Sequence, residues 1–291
     1  MSLTLGYLGL QSDLLLWQVV LLAVISLGVG VLGGFVGLAL GSIRLPIMLL
    51  MGMSLPVAGG TNILVSTMSA LVGSVRHLRS RRVDPRVALI MGVPSMLGAF
   101  VGGLYAEHVS EKPLIAVVGI LVVWQGLDLI TKAKQMTYPD NQTQLQEKNL
   151  SSKAVTSPRW HKARHPYINP KSTLEAGLGL GVGLLGGAVG LILGNLRLPA
   201  MLRILKMDPR IAAGTNLFVG FLTGSLGWTS HMIRGTVDYQ VLVWMVLTGM
   251  LGTYFGARLT GRASLITLLR TMGWVLFLIG GLMFWQAISI A

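Results

Sequence analysis

Two six-residue stretches carry the residue types best suited to chemistry: Gly41-Ser42-Ile43-Arg44-Leu45-Pro46 and Gly194-Asn195-Leu196-Arg197-Leu198-Pro199. Each sets a glycine, a small polar residue and an arginine just ahead of a proline. Proline lacks an N–H and suits the first turn of a helix, and it pushes the residue before it out of the α region. The pattern predicts a helix end, a short extended loop and a new helix starting near Pro46 or Pro199. A fresh helix N-terminus offers unsatisfied N–H groups and the positive end of its dipole, which suits an anion. Arginine adds a permanent, fork-shaped positive charge. Gly41, Ser42, Arg44, Gly194, Asn195 and Arg197 are therefore candidates for anion binding. The competing reading puts both stretches in interfacial loops, with the arginines reaching lipid headgroups.

Gly60-Thr61-Asn62 and Gly214-Thr215-Asn216 form a second pair. Polar side chains within membrane spans usually face the interior or a cavity. The hydroxyls of Thr61 and Thr215 and the amides of Asn62 and Asn216 can donate to an oxyanion without adding charge. Their alternative use is helix–helix hydrogen bonding, worth only about 1 kcal/mol in membranes. Ser66, Thr67, Ser69, Thr223 and Ser225 extend the polar stripe. His77 and His231 end the same helix in each half and are the candidates for proton coupling, if a proton is coupled; an interfacial histidine is the plainer reading of each. Arg203, Lys206 and Arg210 have no basic counterparts in the first half and receive no role.

These motifs recur because the chain is duplicated. Residues 33–56 align without gaps on 186–209 with 13 identities in 24. One inserted residue later, the same register pairs Thr61 with Thr215, His77 with His231, Asp84 with Asp238, Gly98 with Gly252 and Gly102 with Gly256. Shared hydrophobicity alone would not keep these residues in order. Residues 1–134 form the first repeat, 135–171 a polar, basic linker and 172–291 the second repeat.

The elements that must position these residues are membrane helices. Only 11% of the 291 residues are charged and mean hydropathy is +0.70, whereas soluble domains carry about 25% charge. The runs 14–40, 87–106, 113–131, 174–194, 211–227, 239–260 and 264–290 are nearly free of charge. Most approach or exceed the roughly 20 residues that span the hydrocarbon core. They do not alternate, so a barrel is excluded and helices follow. The fold class is an all-α integral membrane protein, two homologous repeats with broken or re-entrant helices and seven to eight spans.

Net charge is +13, yet its location matters more than its sum. Five of 23 Lys and Arg lie in 76–86 and eight in 132–171, a positive-inside signature that makes nucleic-acid binding a poor reading. If residues 45–53 and 58–77 form a hairpin entering and leaving on one side, each repeat crosses an odd number of times and the repeats are inverted. Charge placement at Arg234, Arg258 and Arg262 favours that topology. The linker has no periodicity and reads as flexible, with Trp160, His161 and His165 as loop residues. The absence of Cys excludes disulfides and thiolate metal sites. No metal, cofactor or catalytic residue is expected, which leaves an intramembrane enzyme little to work with. A basic n-region is lacking, so no cleaved signal peptide is expected. Of the acids, only Asp128 falls well within an apolar run, which disfavours a cation as substrate.

Gly30, Gly33, Gly34 and Gly37 with Gly183, Gly186, Gly187 and Gly190, then Pro46 and Pro199, Thr61-Asn62 and Thr215-Asn216, Val83-Asp84 and Val237-Asp238, form an ordered set occurring twice. In this set, and in the spaced Gly98/Gly102 and Gly252/Gly256, the chain resembles the sulfite exporter TauE/SafE family of membrane permeases. The long basic linker departs from the family pattern. The resemblance implies a multi-pass protein of the bacterial or archaeal cytoplasmic (inner) membrane that carries sulfite, thiosulfate, a sulfonate or a related organic anion. The expected function is a secondary transporter of a small anion; the rivals are an anion channel and a non-transporting membrane scaffold. Expected partners are the anion, membrane lipid and a coupled proton or sodium, with a second copy of the chain as a further candidate.

Overall fold

The computed structural model describes residues 12, 14–36, 40–108, 110–137, 170–205, 207–259 and, near the end, 270, 273, 274, 276–278, 280 and 281. Those up to residue 259 form nine α-helices: α1 (Leu16–Val36), α2 (Gly41–Leu50), α3 (Leu55–Arg79), α4 (Pro85–Tyr105), α5 (Glu111–Thr137), α6 (Pro170–Val189), α7 (Gly194–Arg203), α8 (Pro209–Ile233) and α9 (Tyr239–Leu259). The described residues from 270 on are also helical. No strand occurs among the described residues. Most of the linker, with Trp160, His161 and His165, lies outside them, as do Lys206, Arg262 and most of the run 264–290. The side chains of Arg203, Arg210 and Arg258 are likewise outside the description.

Burial is inverted relative to a water-soluble globule. Ser26, Thr61, Asn62, Ser66, Ser95 and Thr215 are fully buried, while Leu89, Leu97, Leu247 and Leu251 are more than half exposed. An exterior this apolar requires lipid rather than water against it. Five described helices are long and apolar enough to span a bilayer: Leu16–Gly34, Leu55–Arg79, Pro85–Tyr105, Pro113–Thr131 and Ser172–Val189. The chain is a multi-pass, all-helical membrane protein.

The two halves of the chain interlock. Ile63 lies against Gly227, Thr67 against Gly224, Leu217 against Gly73 and His77 against Gly214, so α3 and α8 run antiparallel along their length. Helix α9 lies parallel to α1 and α3, with Gly249 beside Ser26 and Ser69. Helix α4 lies parallel to α6 and α8, with Ser95 beside Gly183 and hydrogen-bonded to Thr223. Each three-helix group thus takes its third member from the other repeat. Among the closest approaches are Gly102, where a Cβ would land on the Leu184 carbonyl oxygen, and its counterpart Gly256, where it would land on that of Val31. Small residues permit such approach and gain packing where lipid supplies no hydrophobic drive.

Helices α3 and α8 end alike. The N–H of Arg82 donates to His77 O at 2.8 Å and that of Thr236 to His231 O at 3.0 Å, with Arg81 (φ 53°) and Gly235 (φ 66°) in the left-handed conformation. Two residues on, Asp84 Oδ1 accepts from the N–H groups of Arg86 (2.9 Å) and Val87 (3.2 Å), and Asp238 Oδ1 accepts from Val241 (3.0 Å). The repeated Asp residues are therefore N-caps, of α4 and α9.

Three expectations need correction. Pro46 does not open a helix: α2 starts at Gly41, so Ser42 and Arg44 lie in its first turns, and Pro46 lies inside. Proline there removes only the bond to the Ser42 carbonyl, and complete burial of Leu45 outweighs the steric push on that residue. Helix α7 likewise starts at Gly194, ahead of Pro199. The hairpin of 45–53 and 58–77 is replaced by a different arrangement: α3 runs the length of α8, and only the ten-residue α2 is a half-length element. It returns to the end where α1 begins, with Gln18 Nε2 donating to Met51 O at 3.3 Å. Finally, Glu175 is a buried acid, only 6% exposed, that its place near the start of an apolar run obscured.

Candidate functional site

The N-terminus of α2 is held against α3, where a Cβ on Gly41 would meet the Ser66 hydroxyl and the Asn62 amide. One turn on, Arg44 is 1% exposed; its Nη1 donates to Ser26 Oγ at 3.2 Å and its Nη2 to Ser66 Oγ at 3.1 Å. In the second repeat, a Cβ on Gly194 would sit 2.9 Å from Asn216 Nδ2. Arg197, also 1% exposed, donates through Nη1 to Ser95 Oγ at 3.0 Å and to Thr223 Oγ1 at 2.9 Å. Ser66 and Thr223 lie near the middle of α3 and α8, each 25 residues and about 37 Å long. Both guanidinium groups therefore sit at mid-length of the central helix pair, and the interfacial reading of the arginines is overturned.

Among the described residues neither arginine forms an ion pair, and Arg44 Nε and Arg197 Nε and Nη2 are buried with no hydrogen-bond partner. An ion held in low dielectric without a counter-charge loses several kcal/mol of solvation, and hydrogen bonds to hydroxyls return about 1.5–3 kcal/mol each. The arrangement holds positive charge at mid-length of the central helix pair and leaves three donor groups without a protein partner. Common descent does not explain the hydroxyls. Ser26, Ser66 and Ser95 align with Gly179, Gly220 and Gly249, so two equivalent arginines are served largely from non-equivalent positions. Absence of a repeat signal is why Ser26 and Ser95 escape notice in the sequence.

The Thr-Asn pairs divide. Thr61 Oγ1 accepts the backbone N–H of Asp238 at 3.0 Å, and Thr215 Oγ1 accepts that of Asp84 at 2.9 Å. These are clasps between repeats at opposite ends of the α3–α8 pair. Replacing Thr61 or Thr215 by Val orphans an amide; each variant is expected to lose about 1–2 kcal/mol, nearly additively, in thermal unfolding of the purified protein. Asn62 and Asn216 face inward at the starts of α2 and α7. Asn62 Nδ2 donates to Gly190 O at 3.0 Å, closing the end of α6, and the Oδ1 atoms of both asparagines are buried without a partner. Gly190 takes φ 70°, and a Cβ there would collide with the backbone of Gly59. Asn195 lies in the first turn of α7, its side chain outside the description.

His231 is fully enclosed, with Nε2 bonded to Gly187 O at 3.1 Å and Nδ1 to Thr236 Oγ1 at 3.1 Å. The carbonyl requires Nε2 to carry a proton, so this ring braces α6 against α8. His77 Nδ1 is buried and has no partner. A further polar spot involves Gln125, which the sequence did not single out. Ser42 Oγ and Gln125 Nε2, both buried and unpartnered, face one cavity between α5 and Leu191, Ile192, Leu193 and Leu196. No cluster of three or more metal-ligating side chains occurs among the described residues.

A family model described as "Sulfite exporter TauE/SafE" matches residues 22–283. The chain is 26% identical to the "Probable membrane transporter protein YunE" of Bacillus subtilis, over 92% of this chain and 98% of that one. It is 23% identical to YdhB of the same organism, over 82% and 89% of the two chains. It is also 23% identical to a "Probable membrane transporter protein" of Xylella fastidiosa, over 88% and 93%. No solved structure matches the chain significantly.

Proposed function

The chain belongs to the sulfite exporter TauE/SafE family, and on that premise we propose that it is a secondary transporter of a small anion in the bacterial or archaeal cytoplasmic membrane. Sulfite, thiosulfate, a sulfonate or a related organic anion is the cargo. One observation carries the reading: two arginines, one in each half, are buried at mid-length of the central helix pair with no ion pair among the described residues. A cation pathway would not place fixed positive charge there, and an enzyme would need nucleophiles or relays beside it. Arg44 and Arg197 supply charge, the starts of α2 and α7 at Gly41, Ser42, Gly194 and Asn195 supply neutral donors, and the amides of Asn62 and Asn216 add the hydrogens that the fold leaves over, one of those of Asn62 being given to Gly190 O. Thr61 and Thr215 hold the two halves in register around them. His77, whose Nδ1 has no partner, is the better placed of the two histidines for a coupled proton.

The repeats are inverted in this proposal. Equivalent helices α3 and α8 run antiparallel, which a symmetry axis along the membrane normal would not produce and one in the membrane plane does. Alternating access then consists of the two interlocked groups rocking about the α3–α8 crossing.

Uptake of labelled sulfite, thiosulfate and methanesulfonate into proteoliposomes, with and without a proton gradient, tests the reading. Saturable uptake with counterflow exchange is expected, and a linear leak would indicate a channel. Asn62→Ala combined with Asn216→Ala is expected to reduce uptake about tenfold, from loss of hydrogen bonds worth about 1.5 kcal/mol. Wild-type rates in that variant would remove the asparagines from the site.

A further inference from the structure

The geometry points to a division of labour between the two arginines: the anion is held at Arg197, while the corresponding place at Arg44 is already filled by the hydroxyl of Ser66. This rests on the anion-transport reading and deepens it.

The two guanidinium groups are anchored differently. Arg197 spends Nη1 on two hydroxyls, Ser95 and Thr223, and keeps Nε and Nη2 unpartnered. Nε and Nη2 share the edge of the fork whose parallel N–H groups fit two oxygens of one oxyanion. Arg44 spends Nη1 on Ser26 and Nη2 on Ser66, leaving only Nε unpartnered. The position equivalent to Ser66 is Gly220. A Cβ on Gly220 would sit 3.6 Å from Arg197 Nη2, so a serine there would bring its oxygen onto the edge now left open. Ser66 thus stands in the first repeat where an anion oxygen stands in the second. The ligand class follows: an oxyanion with two oxygens on one face, such as sulfite, a sulfonate or a carboxylate, in preference to a spherical halide. One anion is bound per chain, and exchanging serine and glycine between positions 66 and 220 moves or multiplies the site.

Isothermal titration of the purified full chain with sulfite reads the stoichiometry directly, with chloride as the halide comparison. The wild type is expected to bind one sulfite, Ser66→Gly two, and Gly220→Ser none at concentrations ~30-fold above the wild-type dissociation constant. Chloride is expected to bind far more weakly to all three. If Gly220→Ser fails to fold, Ser66→Gly decides alone, because it enlarges space in the other repeat. Two anions on the wild type, or one on Ser66→Gly, would overturn the division of labour and leave the transport reading standing. A wild-type protein that binds none of sulfite, thiosulfate, methanesulfonate and acetate would bring down both.

Discussion

Replacing Arg44 and Arg197 together by Met is expected to abolish anion uptake while leaving the protein as heat-stable as before, or more so. The expectation follows from what surrounds them. Each cation is buried with no ion pair among the described residues, so the folded state bears a desolvation cost that a methionine of similar length does not. Three of the four hydroxyls left behind keep a partner: Thr223 Oγ1 donates to Val219 O at 2.7 Å, Ser26 Oγ to Met245 O at 2.7 Å, and Ser95 Oγ lies 2.8 Å from Thr223 Oγ1; Ser66 Oγ alone loses its bond. Flux, in contrast, loses the charged donors of Arg197, worth about 3 kcal/mol, roughly a hundredfold. Uptake and thermal unfolding measured on the same preparation separate the two effects. Arginines serving only the fold would give the opposite pattern, with stability falling. Lys in place of Arg197 restores charge without the fork and is expected to recover only part of the flux.

The second large effect is on assembly. Gly102→Val and Gly256→Val are each expected to cost about 3 kcal/mol or more and to leave little folded protein in detergent extracts. At both positions the added Cβ meets a main-chain carbonyl oxygen on a facing helix. A flexible side chain could swing away, but helix backbone cannot without separating α4 from α6, or α9 from α1. Both interfaces join the two repeats, so the fault spreads to the central pair. Size-exclusion profiles of the two variants are expected to match, since the positions are equivalent. Gly28, Gly177 and Gly181 supply the contrast, because a Cβ at any of them meets nothing within 4 Å. Alanine at these positions is expected to leave the profile unchanged.

Much of this was legible from residue order. Asp84 and Asp238, His77 and His231, and the Gly-Thr-Asn triplets recur at fixed spacing because the same helix ends and clasps are built twice. Which partner each residue takes was not legible. Thr61 read as a donor to substrate, yet it accepts an amide from the far repeat, 177 positions away in the chain. Pro46 read as a helix start, since local sterics say so, yet tertiary burial of Leu45 carries the helix back to Gly41. Ser26 and Ser95 were invisible because each faces a glycine in the aligned copy.

By itself the amino-acid order determined that the chain is helical and at home in lipid, that its motifs occur twice in the same order, and that an arginine accompanies each Gly–Pro stretch. Periodicity, charge scarcity and spacing are local properties, so a reader of the string can recover them. Only the tertiary structure decided that the third helix of each group comes from the other repeat, that both arginines lie at mid-length rather than at headgroups, and that their partners are hydroxyls without a carboxylate. Those facts depend on which distant surfaces meet. Here that was settled by where a missing Cβ lets two backbones touch.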